Sequence, residues 1–452
     1  MRALVLLLLF SLAAFARAAT LPVHFGLFGN VHTATPAGQI QRAVVLVSDK
    51  DGWSARDEAL ASALADDGTL VFGVDLPAYL KQMESIDDKC SLPASHFEEM
   101  IHWMQRNQKL ETFIYPFLIG DGAGATFAYA VDAQAPTGSY AGLVTLGFDA
   151  SLRLPKPICR GDAGAVTAPD GSGAFRVVAV AKLANSWLPQ PFAPGARLVS
   201  LLNKLPEHAK SWLTPTQTDP NAELVETLRW LTTRVESAPS LPSDVADLPL
   251  VEVPAQAEFA QRVAIILTGD GGWAGLDVAV ADQLAKRGIE VVGLNTLKFF
   301  WQTRKPGEAA DALTRIIGHY GAQHPQADFV VLGYSFGAAL APVVINRVPD
   351  AARARIAAQV LISPDPEAVF EIHVGDWFGS TQHEGALPIL PEISKTKVPA
   401  ICVHGDEEDD SFCKTLIAKP NVRELVLRGG HHYNGDYDKL GAGIAGALPV
   451  KK

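Results

Sequence analysis

Phe329-Val330-Val331-Leu332-Gly333-Tyr334-Ser335-Phe336-Gly337-Ala338-Ala339-Leu340 is the stretch on which the reading of this chain turns. The leading apolar run suits a strand buried on both faces. Ala338-Ala339-Leu340 suits the start of a helix. Between them stands Gly-x-Ser-x-Gly, a strained strand-to-helix turn whose glycines let backbones pass closely while the serine oxygen is lifted clear. Five residues alone are a weak signal, but strand before and helix after are the context the motif requires. The stretch predicts an α/β-hydrolase fold with Ser335 as nucleophile.

Working outward, the groups that such a nucleophile needs can be sought in order. One oxyanion donor is the backbone N–H after the nucleophile, here Phe336. The second comes from the loop after an early strand. Arg262–Leu267 is such a strand, and Thr268-Gly269-Asp270-Gly271-Gly272-Trp273 follows it, with Asp270 or Gly271 expected to supply the amide. No Gly-Lys-Ser/Thr follows this loop, so it is not a nucleotide phosphate loop; no cofactor is called for. The base comes last in chain order. After the strand Glu424–Leu427, Arg428-Gly429-Gly430-His431-His432-Tyr433 offers His431 as base and His432 as a substrate contact, or the reverse. Adjacent histidines rarely point at one ion, so no metal is expected. The acid belongs between them, after the strand Val398–His404. Gly405-Asp406-Glu407-Glu408-Asp409-Asp410 follows it, where spacing from the glycine selects Glu408 and leaves Asp410 as its rival. Trp273, Tyr334 and the aromatic segment Phe299-Phe300-Trp301 are expected substrate contacts, the last placed to dip toward lipid headgroups,.

The first half of the chain echoes the second. Arg42–Val47 parallels Arg262–Leu267, and Ser48-Asp49-Lys50-Asp51-Gly52-Trp53 parallels Thr268–Trp273. Thr112–Ile119 leads into Gly120-Asp121-Gly122-Ala123-Gly124, the same elbow with glycine in place of serine. Alternating strands and helices at this spacing predict two doubly wound α/β-hydrolase-like domains in tandem, the N-terminal one lacking a nucleophile. The expected boundaries are 19–237 for that domain, 238–254 for a Pro/Ser-rich linker, and 255–452 for the catalytic domain.

Bulk properties narrow the setting. Arg2, the apolar run Leu4–Phe15 and Ala16-Arg17-Ala18 read as a cleaved signal peptide over 1–18,. Removing Arg2 and Arg17 takes the net charge from −11 to −13, which argues against nucleic acid,. Hydrophobic content of 48% against 19% charged residues describes a globular chain with ample core,. Four cysteines allow three pairings; proximity favours Cys402–Cys413 and Cys90–Cys159, which suits an oxidising compartment such as the periplasm,.

As a set, the Gly-Asp-Gly-Gly-Trp loop, the aromatic segment from Leu297, Gly-Tyr-Ser-Phe-Gly-Ala, the acidic loop ending at Cys413 and Gly-Gly-His-His-Tyr-x-Gly-Asp-Tyr resemble the AcvB/VirJ family of bacterial virulence proteins. Length and signal peptide resemble the longer, two-domain form. The resemblance covers the C-terminal half and departs from it at Tyr433, where phenylalanine is expected. It implies a periplasmic hydrolase that removes lysyl or alanyl groups from aminoacyl-phosphatidylglycerol at the membrane surface. A binding or chaperone protein working with a secretion system, and a generic carboxylesterase or lipase, are the competing readings. The aminoacyl group and the oligomeric state are open.

Overall fold

The computed structural model describes residues 20–86, 89–136, 138–148, 151–161, 164–180, 183, 185, 187–190, 224, 225, 227–229, 232, 244–372 and 385–450. The signal-peptide segment 1–18 and linker residues 238–243 lie outside these.

Among the described residues, each half builds one seven-stranded sheet. In the C-terminal half the spatial order is Leu250–Val253, Glu290–Leu294, Arg262–Leu267, Asp328–Tyr334, Ile356–Ile362, Ala400–Gly405 and Val422–Leu427. All pairs are parallel except the first. Every residue of Arg262–Leu267 is buried, as a continuous apolar run with helices on both faces demands,. Arg262 opens that strand and is the buried charge in it. Its guanidinium holds both Asp328 oxygens at 2.7 Å, a paired charge at the strand entrance,.

The N-terminal sheet runs Thr20–Phe25, Gly29–Ala34, Thr69–Val74, Arg42–Val47, Phe117–Asp121, Gly142–Leu146 and Trp187–Gln190. Its first two pairings are antiparallel and the rest parallel. The central strands of the two halves follow one plan, so the tandem α/β-hydrolase-like architecture is what the chain adopts. Even the loop contacts repeat. Trp53 lies over Gly73 and Trp273 over Gly293, each ring so close that a Cβ on that glycine would stand within 2.2 Å or 2.0 Å of a ring carbon. Thr268 Oγ1 accepts from the Thr296 amide as Ser48 Oγ accepts from Leu76.

A continuous apolar core crosses from one half to the other. Phe113 of the first half meets Trp301 of the second at 5.2 Å between ring centroids. Disulfides Cys90–Cys159 and Cys402–Cys413 brace one half each. Among the described residues, no helix is long and apolar enough to cross a membrane.

Candidate active site

The strand Asp328–Tyr334 delivers Ser335 at its carboxyl end, and the helix Phe336–Ile345 starts directly after it. Ser335 has φ 48° and ψ −112°, a conformation that side chains rarely adopt,. Holding it costs about 1–3 kcal/mol, offset by surrounding packing. Two glycines make the turn possible. A Cβ on Gly333 would meet the Gly337 carbonyl at 2.3 Å, and one on Gly337 would meet the Leu267 carbonyl at 2.1 Å.

Ser335 Oγ lies 3.2 Å from His431 Nε2, and His431 Nδ1 lies 2.9 Å from Glu408 Oε1. Because an ionised carboxylate only accepts, Nδ1 carries the proton and Nε2 is left to accept from the serine hydroxyl. Glu408 is 9% exposed and firmly held. Its Oε2 accepts from Ser363 Oγ at 2.9 Å and from the Gly405 amide at 3.3 Å. Ser363 is in turn 2.9 Å from the Tyr433 hydroxyl. The Cys402–Cys413 bridge closes the base of this acidic loop, and Asp406 Oδ1 accepts from the Gly429 amide, tying it to the histidine loop. Asp410, the rival acid, is exposed, while Glu408 is the carboxylate that turns inward to His431.

Ser363 and Tyr433 were not expected as site residues. Both carry positive φ, 45° and 49°, a strain with no clear mark in a single sequence. Ser363→Ala should lower kcat about 3- to 10-fold, since Glu408 loses one hydrogen bond worth roughly 1 kcal/mol. Steady-state rates with unchanged KM would bear this out.

The remaining expected contacts divide. His432 is exposed, with Nδ1 2.9 Å from the Tyr334 hydroxyl. Although its edge meets solvent, the atoms packed around the ring displace enough water to lower its pKa, and the neighbouring His431 adds to that. Burial holds the Tyr334 phenol well above its ordinary pKa, so it stays a donor. The Tyr334 ring lies against Gly269, 3.1 Å from where a Cβ would stand. Trp273 is half-buried and packs its ring over Gly293 of the sheet. Phe299, Phe300 and Trp301 are a correction. They are 3%, 1% and 0% exposed and cannot dip into lipid. Phe300 packs edge-on to Phe336 and Phe370, and Trp301 Nε1 donates to the Leu110 carbonyl of the other half at 2.8 Å. Phe300→Ala should cost about 3–5 kcal/mol of stability. Thermal unfolding should show the loss, and vesicle and soluble substrates should suffer alike.

The repeat also defines the loop before the helix. In the N-terminal half Gly122 has φ 54° and ψ −115°, the geometry of Ser335. Asp49 Oδ1 there accepts from the amides of Lys50 and Ala123, each at 2.7 Å. Those positions correspond to Asp270 and Phe336. The counterpart of Asp49 is Gly269, which has no side chain to place between them. The first half thus carries the same pair of amides, filled by its own carboxylate.

Several known proteins are similar. Over 101 residues the chain is 34% identical to cutinase CUT2 of Pyricularia oryzae, an alignment covering 22% of this chain and 40% of the cutinase. The chain therefore spans less than half the length of that relative. Similar solved structures include Est1E from Butyrivibrio proteoclasticus, 14% identical with 42% of this chain and 88% of that one covered, TM-score 0.32. Another is XC6422 from Xanthomonas campestris, described as an α/β serine hydrolase without lid, 17% identical with 48% and 100% covered, TM-score 0.32. Residues 261–451, which carry Ser335, His431 and Glu408, match the family model of the bacterial virulence protein VirJ.

Proposed function

We propose that this protein is an exported serine esterase that hydrolyses the aminoacyl ester of aminoacyl-phosphatidylglycerol, releasing phosphatidylglycerol and the free amino acid. The observation that carries the reading is the hydrogen-bonded row Ser335–His431–Glu408 at the end of the central strand. His431 Nε2 takes the Ser335 proton as Oγ attacks the ester carbonyl. Glu408 stabilises the imidazolium that forms. The proton then passes to the departing glycerol oxygen, leaving an acyl-enzyme. Water, deprotonated by the same histidine, releases the amino acid. The amides of Asp270 and Phe336 hold the oxyanion, a choice supported by the paired amides around Asp49 in the other half,. Asp270, rather than Gly271, is the counterpart of Lys50.

The substrate class rests on family resemblance, supported by the carboxylates Asp270 and Glu408, both close enough to act on His432 beside the nucleophile and suited to a substrate with an ammonium group. Export is supported by the two disulfides and by the N-terminal segment,. Incubating the purified protein with lysyl- and alanyl-phosphatidylglycerol should release phosphatidylglycerol, read by chromatography of the lipids. Turnover of simple esters without either aminoacyl lipid would instead favour a general carboxylesterase. Failure of Ser335 to react with a fluorophosphonate probe would favour a binding protein.

A further inference from the structure

The turn that carries the Asp270 amide is closed by its own backbone, since the Gly272 amide donates to the Gly269 carbonyl at 3.0 Å. Where the Asp270 amide points therefore depends on what holds the two ends of the turn. The entry is held within the C-terminal half, where Thr296 Oγ1 donates to the Gly269 carbonyl at 2.6 Å. The exit is held from the other half. The Tyr115 hydroxyl accepts from the Trp273 amide and from Asn295 Nδ2, the latter at 3.0 Å. It would stand 2.3 Å from a Cβ on Gly272, whose φ is 78°. Beside it, Gly138 of the first half comes so close to the Trp273 carbonyl that a Cβ there would stand 2.5 Å away.

The repeat shows what this contact replaces. In the N-terminal half the Trp53 amide, counterpart of Trp273, donates to Asp75 Oδ2 at 3.0 Å. Asp75 Oδ1 meanwhile caps the next helix through the Ala78 amide at 2.9 Å, so one carboxylate serves both tasks. The counterpart of Asp75 is Asn295. Its Oδ1 accepts from the Lys298 amide at 3.1 Å, which keeps the capping task. Its other polar atom is a nitrogen, a donor that cannot accept from Trp273. The Tyr115 hydroxyl fills that place. It sits against Gly272 as Asp75 Oδ2 sits against Gly52, where a Cβ would stand 2.8 Å away. Tyr115 is itself fixed from within its half. Buried Gln105 brackets the preceding residue, donating to the Ile114 carbonyl at 2.7 Å and accepting from the Ile114 amide at 2.9 Å.

We propose that Tyr115 is a positioning residue for catalysis, holding the exit of the oxyanion turn so that the Asp270 amide faces the reacting carbonyl. The proposal rests on the placement of the oxyanion between the Asp270 and Phe336 amides. It makes the two halves one catalytic unit, because the half without a nucleophile supplies the acceptor that Asn295 cannot. An oxyanion donor acts through its direction, and only a donor fixed beforehand stabilises the developing charge at full strength. Without the Tyr115 oxygen, the Trp273 amide would face the Asn295 Nδ2 donor, and the turn would relax toward another acceptor. That charge develops only in the transition state, so the loss falls on kcat and leaves KM alone.

The test follows hydrolysis of p-nitrophenyl butyrate by the full chain as wild type, Tyr115→Phe and Tyr115→Phe/Asn295→Asp, each well below its unfolding temperature. Tyr115→Phe keeps the ring and removes the acceptor, so kcat should fall about 10-fold with KM within about twofold. In the double variant a carboxylate at 295 restores the arrangement of Asp75 and should return kcat to within about threefold of wild type. A role in packing alone gives no such rescue, because the ring is the same in both variants. Unchanged kcat in Tyr115→Phe overturns the proposal, as does a loss that appears in KM or that the second substitution fails to recover. Gly269→Asp tests the underlying oxyanion placement by itself, since a carboxylate there would stand between the two amides. Full activity in that variant overturns the placement, whatever Tyr115→Phe shows. The two failures are therefore separable.

Discussion

Gly269→Asp should silence the enzyme while leaving it folded. The other half already shows this arrangement, with Asp49 placing one carboxylate oxygen 2.7 Å from two amides. A carboxylate at Gly269 would occupy the position proposed for the oxyanion and repel the charge that develops there. Removing one oxyanion donor costs about 10²- to 10³-fold in kcat, so blocking two should cost at least about 10³-fold. Gly269→Ala is the control, because a Cβ there meets only the Tyr334 ring at 3.1 Å, a contact that a small shift relieves. The alanine variant should keep most of its activity. Steady-state kinetics and circular dichroism of both variants decide the matter. An active aspartate variant would move the oxyanion site elsewhere.

Ser335→Ala is the other large effect. Loss of the nucleophile in a serine triad lowers kcat on the order of 10⁶-fold, leaving only the residue of binding and oxyanion stabilisation. The strained φ of 48° then serves no chemistry, so stability should hold or rise slightly. The variant should take no fluorophosphonate label and hydrolyse neither aminoacyl lipids nor simple esters. Retained turnover would require a different nucleophile.

Much of this was legible in the chain because the elbow is local. Strand, turn and helix around Ser335 lie within a dozen residues, and their backbone demands are written as glycines. The histidine loop was legible for the same reason. The acid was legible only in part: spacing from Gly405 selects Glu408 but leaves Asp410 as its rival, since five consecutive carboxylates differ only in which one turns inward. That depends on Ser363 and Gly405, whose contacts with Glu408 exist only after folding. Phe299-Phe300-Trp301 misled because an apolar aromatic run reads alike at a lipid surface and in a core. The deciding partner, the Leu110 carbonyl, lies far away in sequence.

The Asp49 arrangement bears on how the first half came to be and whether it could go back. Restoring serine at Gly122 alone would drive its Cβ to 2.3 Å from the Asp49 carboxylate. Removing Asp49 alone would strip two amides of their shared acceptor,. Each single step is worse than the present state, and only the double change reaches an open elbow. From this arrangement no single substitution leads to an open elbow. Such a half is closed to turnover by its own backbone, and its carboxylate holds the elbow in the shape that catalysis elsewhere in the chain requires.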